Sequence, residues 1–188
     1  FAAPINDYSK MLLSAQPRGV AKPANENSEN IITAKNISVH FPRKKNFFGK
    51  VTEVVKAVDG IDVAIKRGQT VGVVGESGSG KSTLGFALLR LVNGKGDINF
   101  KGAMISSYNR AQMTPLRKDM QVVFQDPFGS LSPRMSVADI IGEGLKVHRP
   151  DLTAPMRDEL VVNILNEVKL NPDTRHRYPH EFSGGQRQ

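Results

Sequence analysis

The sequence predicts an α/β fold: a nucleotide core built on a phosphate-binding loop (a P-loop), carrying an antiparallel β subdomain and a helical subdomain. Three observations predict it. GESGSGKST, residues 75–83, lies between TVGVV, an apolar run that reads as a buried strand, and LGFALLRLV, which reads as a helix to about Val92. Apolar and polar residues alternate through 31–66, as in strands with one covered face. Residues 136–170 instead carry apolar groups at helical spacing and no strand pattern.

Taken in order, residues 1–16 hold a short amphipathic stretch in which Tyr8, Met11, Leu12 and Ala15 fall at helical spacing. PRGVAKPANENSEN follows with almost nothing to bury, so 18–30 reads as a linker. IITAKNISVHF alternates at Ile32, Ala34, Ile37, Val39 and Phe41, with a slip near Asn36, and reads as a strand. The basic insertion PRKKNFFGK separates it from VTEVVKAVDGIDVAIKRG, which reads as a second strand pair ending in a turn at Lys66, Arg67 and Gly68. GKGDINFKG reads as a hairpin strand between glycines, and DMQVVFQDP, 119–127, as a buried strand ended by Pro127. SVADIIGEGLKV and MRDELVVNILNEVKL supply the helices, and no internal repeat is evident over 31–188.

Composition bounds the function classes. With 188 residues, 39% of them hydrophobic, the chain is long enough for one full core. No apolar run approaches the roughly 20 residues of a membrane-spanning helix, and no charged-then-apolar leader opens the sequence. Cysteine is absent, which excludes disulfides and thiolate metal sites and fits a reducing cytosol. The formal charge of +8 invites a polyanion: nucleotide, nucleic acid or an acidic membrane surface. A solvated basic surface accounts for it equally well. The chain opens on Phe1 and stops at Gln188 within a motif, so it reads as a fragment.

Gly75, Gly80, Lys81 and Ser82 stand in register with G-x-x-x-x-G-K-[ST]. Glycines let the backbone curl until successive N–H groups point inward at phosphate oxygens, and the helix that starts there adds its positive end. Lys81 is then expected at the β and γ phosphates, Ser82 on Mg²⁺ and Thr83 at the α phosphate. Glu76, Ser77, Gly78 and Ser79 complete the loop, contributing backbone more than side chain. By itself this pattern states no more than nucleotide binding; kinases, GTPases, helicases and transport ATPases all share it.

VVFQDPFGSLSPRMSV, 122–137, and FSGGQRQ, 182–188, narrow the choice. With the phosphate loop they resemble the ATP-binding subunits of ABC transporters over essentially all of 31–188. FQDP followed by SLSPRM, and RYPHEFSGGQRQ, resemble the oligopeptide and dipeptide importer branch. EGLKVHRPDL and DTRHRYPHEF are similar to the fused two-domain peptide importer ATPases that also carry microcin C. The resemblance implies that Gln125 serves Mg²⁺ and the attacking water, its neutral amide able to coordinate through oxygen and donate through nitrogen. It implies that Ser183, Gly184, Gly185 and Gln186 form a signature loop for the ATP of an opposite ATPase domain, with Phe182 where many members have leucine. Phe41 is the candidate for stacking on adenine, with Phe47 and Phe48 as competitors and a core role equally open.

The resemblance also implies two membrane-spanning permease subunits as partners, a peptide-binding protein indirectly, no nucleic acid, and a peripheral place on the cytoplasmic face of the inner membrane. FAAPINDYSKMLLSAQP resembles the end of such an ATPase domain. Residues 1–17 are thus expected to close one domain, 18–30 to link, and 31–188 to open a second whose helical subdomain covers about 128–182. The family's Asp-Glu strand and its later histidine do not follow Ser183. The fold is expected to be truncated before that strand, and the 188 residues alone to be inactive in ATP hydrolysis. Two rivals stay open: a soluble ABC ATPase of DNA repair or translation, and a P-loop kinase or GTPase using Asp126 as its acid. His148, His176 and His180 stand in polar surroundings and read as surface or capping groups.

Overall fold

The computed structural model describes Asn6, Lys10 and residues 27–45, 47, 49, 51–126 and 129–187. The amphipathic stretch of 1–16 and most of the linker lie outside the described residues apart from Asn6 and Lys10. The chain divides into two compact units: Phe1–Leu84 with Gly94–Met104, and Gly85–Asn93 with Ile105–Gln188.

The first unit is built on an antiparallel sheet in the order β2-β1-β3-β4, with β1 Asn30–Lys45, β2 Val51–Lys66, β3 Lys95–Phe100 and β4 Ala103–Met104. Ile32, Ala34, Ile37, Val39, Val58, Ile98 and Phe100 bury one face. The expected slip in β1 is a bulge. Asn36 adopts φ 53, which its short polar side chain tolerates, and the β1–β2 register shifts between Ala34 and Ile37. Its N–H donates to Asp62 Oδ1 at 2.7 Å, and the Gly60 N–H donates to Ser38 Oγ at 2.9 Å. Residues 51–66 therefore form one bent strand rather than a strand pair: Gly60, at φ 71, accommodates the bulge without ending the ladder. The turn after Lys66 is present, with Gly68 at φ 75 and the Gln69 N–H on the Lys66 carbonyl. Lys101 and Gly102, at φ 50 and 84, make the tight turn that joins β3 to β4.

The two strands read at 70–74 and 119–127 are not formed among the described residues. Val73 and Val74 are 54% and 96% exposed, and Val123 is 95% exposed. A strand is completed by its hydrogen-bonding neighbours, and the described sheet, antiparallel throughout, offers neither segment a ladder. Their apolar composition was read correctly; the pairing it needs is non-local.

Helix α1, Lys81–Leu88, is shorter than the expected run to Val92. Arg90 turns left-handed at φ 54, the Leu91 N–H returns to the Phe86 carbonyl and the Arg90 N–H to the Ala87 carbonyl, a Schellman closure with arginine in place of glycine. The Arg117 guanidinium donates to the Leu89 and Arg90 carbonyls and so places a cation on the negative end of the helix.

The second unit is helical, as read. Its helices are α2 Arg110–Met113, α3 Val137–His148, α4 Ala154–Glu167 and α5 Gly184–Arg187, with 3₁₀ turns at Thr114–Leu116, Pro172–His176 and Pro179–Glu181. Ser136 caps α3, its Oγ accepting the Asp139 N–H. Ile105, Met113, Met120, Leu152, Val161, Leu165 and Phe182 are buried. Each large one contributes about 1.5–3 kcal/mol by leaving water.

Candidate functional site

Residues 75–80 fold into a loop whose glycines take conformations closed to other residues: Gly75 at φ 155, Gly78 at 81 and Gly80 at 91. A Cβ on Gly75 would lie 2.9 Å from Ser79 Oγ, and one on Gly80 would fall on the Ala57 carbonyl oxygen of β2. The loop thus rests with its backbone directly against the edge strand. Helix α1 begins at Lys81, with no acidic residue in its first turn to compete for its N-terminal N–H groups.

Lys81 closes the loop on itself. Its ammonium donates to the Gly75 carbonyl at 2.9 Å and the Glu76 carbonyl at 2.6 Å, with Ser79 Oγ at 3.5 Å. The Ser79 N–H donates to the Glu76 carbonyl at 3.2 Å. Ser82 is exposed and Thr83 half-buried in the same first turn. A positive helix end, a glycine loop in which a Cβ on Gly75 or Gly80 would collide with its neighbours, an ammonium and a hydroxyl form a set fit for phosphate with a hard cation. Among the described residues no three His, Cys, Asp or Glu groups assemble into a metal cluster.

Phe41 stands on β1 opposite Val55 and is 42% exposed, so its ring has an open side; Phe47 is 99% exposed, and Phe48 lies outside the described residues. Beside Phe41, His40 Nε2 and Lys56 Nζ meet Asp59 Oδ1 and Oδ2 at 3.1 and 3.0 Å. The Lys56 hydrogen bond, followed by that of His40, holds the Asp59 carboxyl below the usual carboxylate value.

The other motifs belong to the second unit. Gln125 sits at a bend and is exposed rather than ending a buried strand. Asp126 is exposed as well, and one of its carboxylate oxygens lies 2.8 Å from where a Cβ on Gly129 would stand. Ser183 and Gln186 face each other across the first turn of α5: the Ser183 N–H donates to Gln186 Oε1 at 3.0 Å, and the Gln186 N–H to Ser183 Oγ at 3.4 Å. This is a reciprocal capping box, so Ser183 and Gln186 hold the helix start while Gly184 and Gly185 lie between them. A Cβ on Gly185 would meet nothing within 4 Å. Arg187 Nε donates back to the Phe182 carbonyl at 3.0 Å, and Phe182 anchors the segment in the core.

The structure brings Gly75, Glu76, Ser77, Gly78, Ser79, Gly80, Lys81, Ser82 and Thr83 together as one loop and turn, and Ser183, Gly184, Gly185 and Gln186 as another. Sequence reasoning missed the capping box, although S-x-x-Q before a helix signals one. It also missed Ala57, whose carbonyl backs the loop and which no local pattern marks. Of the histidines, His180 stacks on Tyr178 with ring centroids 5.8 Å apart, and His148 ends α3.

Residues 58–188 match the family model described as ABC transporter. The Peptidoglycan transport ATP-binding protein YejF of Agrobacterium fabrum is 55% identical over 188 residues, which are 100% of this chain and 34% of that protein. The Oligopeptide transport ATP-binding protein OppF of Streptococcus mutans is 46% identical over 164 residues, 87% of this chain and 51% of that protein. Among solved structures, the dimeric ATP-binding cassette MJ0796 bound to ADP and Pi superposes with a TM-score of 0.68 at 22% identity, over 83% of this chain and 65% of that one, a likeness of fold alone. The chain spans from about a third to a half of the length of these two curated relatives.

Proposed function

The chain belongs to the ABC transporter family, and from that premise we propose that it is part of an ATP-binding and hydrolysing subunit that energises import of peptides across the inner membrane. The observation that carries the nucleotide site is the glycine loop closed on Lys81 at the start of α1. The kind of cargo is supported by the relatives, which are named for peptidoglycan and oligopeptide transport.

In this reading the N–H groups of 75–83 hold the phosphates of ATP, and the Lys81 ammonium leaves the Gly75 and Glu76 carbonyls for the β and γ oxygens. Phe41 offers its open face to adenine. Ser82 and Gln125 would hold Mg²⁺, which when bound neutralises charge on the transferring phosphate. Gln125 orients water through an amide that leaves no stranded charge when its loop moves. Ser183, Gly184, Gly185 and Gln186 serve the nucleotide of an opposite domain, the capping box of Ser183 and Gln186 fixing the helix start that carries Gly184 and Gly185.

The partners that follow are two membrane-spanning permease subunits, a peptide-binding protein indirectly, and a second ATPase domain fused N-terminally through the linker 18–30. Among the described residues no helix is long and apolar enough to cross a membrane; a peripheral place on the cytoplasmic face is part of the proposal. The test is ATP-driven uptake of a peptide by the full-length protein reconstituted with its permease. Uptake lost with Lys81→Ala supports the reading. ATP turnover without any peptide movement, together with tight salt-sensitive binding to DNA or RNA, overturns it in favour of a soluble ABC ATPase.

A further inference from the structure

We propose that Arg117 and Phe124 are positioning residues for Gln125: they fasten the segment that leads into Gln125 to helix α1, the helix that opens at Lys81. The inference rests on the reading above, in which Gln125 serves Mg²⁺ and the attacking water. Residues 121–125 hold no place in the described sheet, so no ladder of backbone hydrogen bonds fixes them. Side-chain contacts set their place instead.

Arg117 is itself held by a turn, its N–H donating to the Thr114 carbonyl at 3.1 Å, and Met120 is buried three residues on. The half-buried Arg117 guanidinium then reaches the end of α1, Nη1 donating to the Leu89 carbonyl and Nη2 to the Arg90 carbonyl at 3.1 Å. A planar fork grips two carbonyls at once, which the point charge of an ammonium does not. The second tie is aromatic. Phe124 and Phe86 lie with ring centroids 6.3 Å apart and planes tilted by 52°, the geometry of a favourable ring pair. Val123, one residue earlier, is 95% exposed, so the contact belongs to Phe124 and not to the apolar run as a whole. Phe86 stands on α1 five residues after Lys81, and Phe124 is the residue before Gln125. The Gln125 amide is thus one residue from a contact with the helix that carries Lys81. Phe124 stays 51% exposed, so this tie orders the segment without burying it. A shift of about 1 Å in an orienting group can cost roughly a hundredfold in rate. Loss of either tie therefore acts on turnover and spares nucleotide binding.

The experiment compares Arg117→Gln, Phe124→Leu and the conservative Phe124→Tyr in the full-length protein. Without nucleotide, amide hydrogen exchange over 121–126 should be faster than wild type in the first two and near wild type in Phe124→Tyr. In steady-state hydrolysis the first two should lower kcat by at least about tenfold with KM for ATP within about twofold, and Phe124→Tyr should restore it. In a Gln125→Ala background the same two substitutions should cost nothing further, whereas a general loss of stability would cost as much again. Because the Phe124 ring is half exposed, Phe124→Leu carries the test even where Arg117→Gln does not fold. Unchanged exchange, an unchanged kcat, wild-type turnover in Gln125→Ala alone, or an equal loss in that background overturns the proposal. Failure of the ATPase assignment reads differently, since turnover would then survive Lys81→Ala.

Discussion

At the scale of single residues, the loop at 75–83 depends on two groups for different reasons. Lys81 supplies the fixed positive charge of the loop, and phosphoryl transfer depends on neutralising charge at the transferring group. Lys81→Ala in the full-length protein should therefore reduce ATP turnover by at least about a hundredfold; unchanged steady-state hydrolysis would withdraw the site. Gly80 is needed for space. It holds φ 91 with its α-carbon pressed toward the Ala57 carbonyl, whereas Gly78 holds φ 81 with nothing within 4 Å of an added Cβ. Gly78→Ala carries backbone strain alone, of order 1–3 kcal/mol, and Gly80→Ala carries that strain plus displacement of β2. Thermal melts with and without ATP should show Gly80→Ala as the less stable of the two and the one in which ATP no longer raises the melting temperature. Equal behaviour of both variants would remove the Ala57 contact from the account.

At the scale of elements, α3 shows how a local signal fixes an end. Ser136 Oγ accepts the Asp139 N–H, and its hydroxyl donates to Asp139 Oδ2 at 2.7 Å. That hydrogen bond is the main cause holding the Asp139 carboxyl below its ordinary value of 3.8. Ser136→Ala should cost about 1 kcal/mol in denaturant unfolding near neutral pH. A carboxyl with a depressed folded value contributes stability above its unfolded value and loses it as pH falls through the folded one. The gap between wild type and Ser136→Ala should hold steady down to about pH 4 and narrow below it. A gap independent of pH to the acid limit would detach Asp139 from the cap. Elements of this local kind were legible: the α3 and α4 periodicities, the slip at Asn36, the turn at Gly68, and the phosphate loop, whose chemistry lies within nine residues. What escaped was non-local. Val71, Val73 and Val122 to Phe124 are apolar enough for strands, yet pairing decides strand formation and they have none among the described strands. The end of α1 depends on Arg117, which caps it from 27 residues away. Residues 51–66 were read as a strand pair because a glycine inside an apolar run does not by itself distinguish a bulge from a turn. In the site, Gln125 was read at the end of a buried strand and stands instead at an exposed bend, and Ala57 carries no pattern of its own.

At the scale of the whole molecule, the phosphate loop lies in one compact unit and the SGGQ segment in the other, and the proposed mechanism uses the second for a nucleotide that this chain does not itself cradle. Gly185 tests that division. A Cβ there meets nothing within 4 Å, and Ser183 and Gln186 cap the helix start without its help, so Gly185→Asp should leave the fold of its own unit intact. If the segment acts on the γ phosphate of an opposite domain, the added carboxylate faces phosphate only when the two halves meet. Closure then fails through like-charge repulsion and lost N–H approach, while nucleotide entry to the loop of Lys81 is untouched. In the full-length transporter, Gly185→Asp is expected to keep ATP affinity at the Lys81 site within about twofold, a change below 0.5 kcal/mol, and to abolish ATP-driven peptide uptake. Uptake that survives, or affinity at the Lys81 site that collapses with the substitution, would mean that SGGQ serves its own half or no nucleotide at all, and the pairing of two ATPase domains would have to be abandoned.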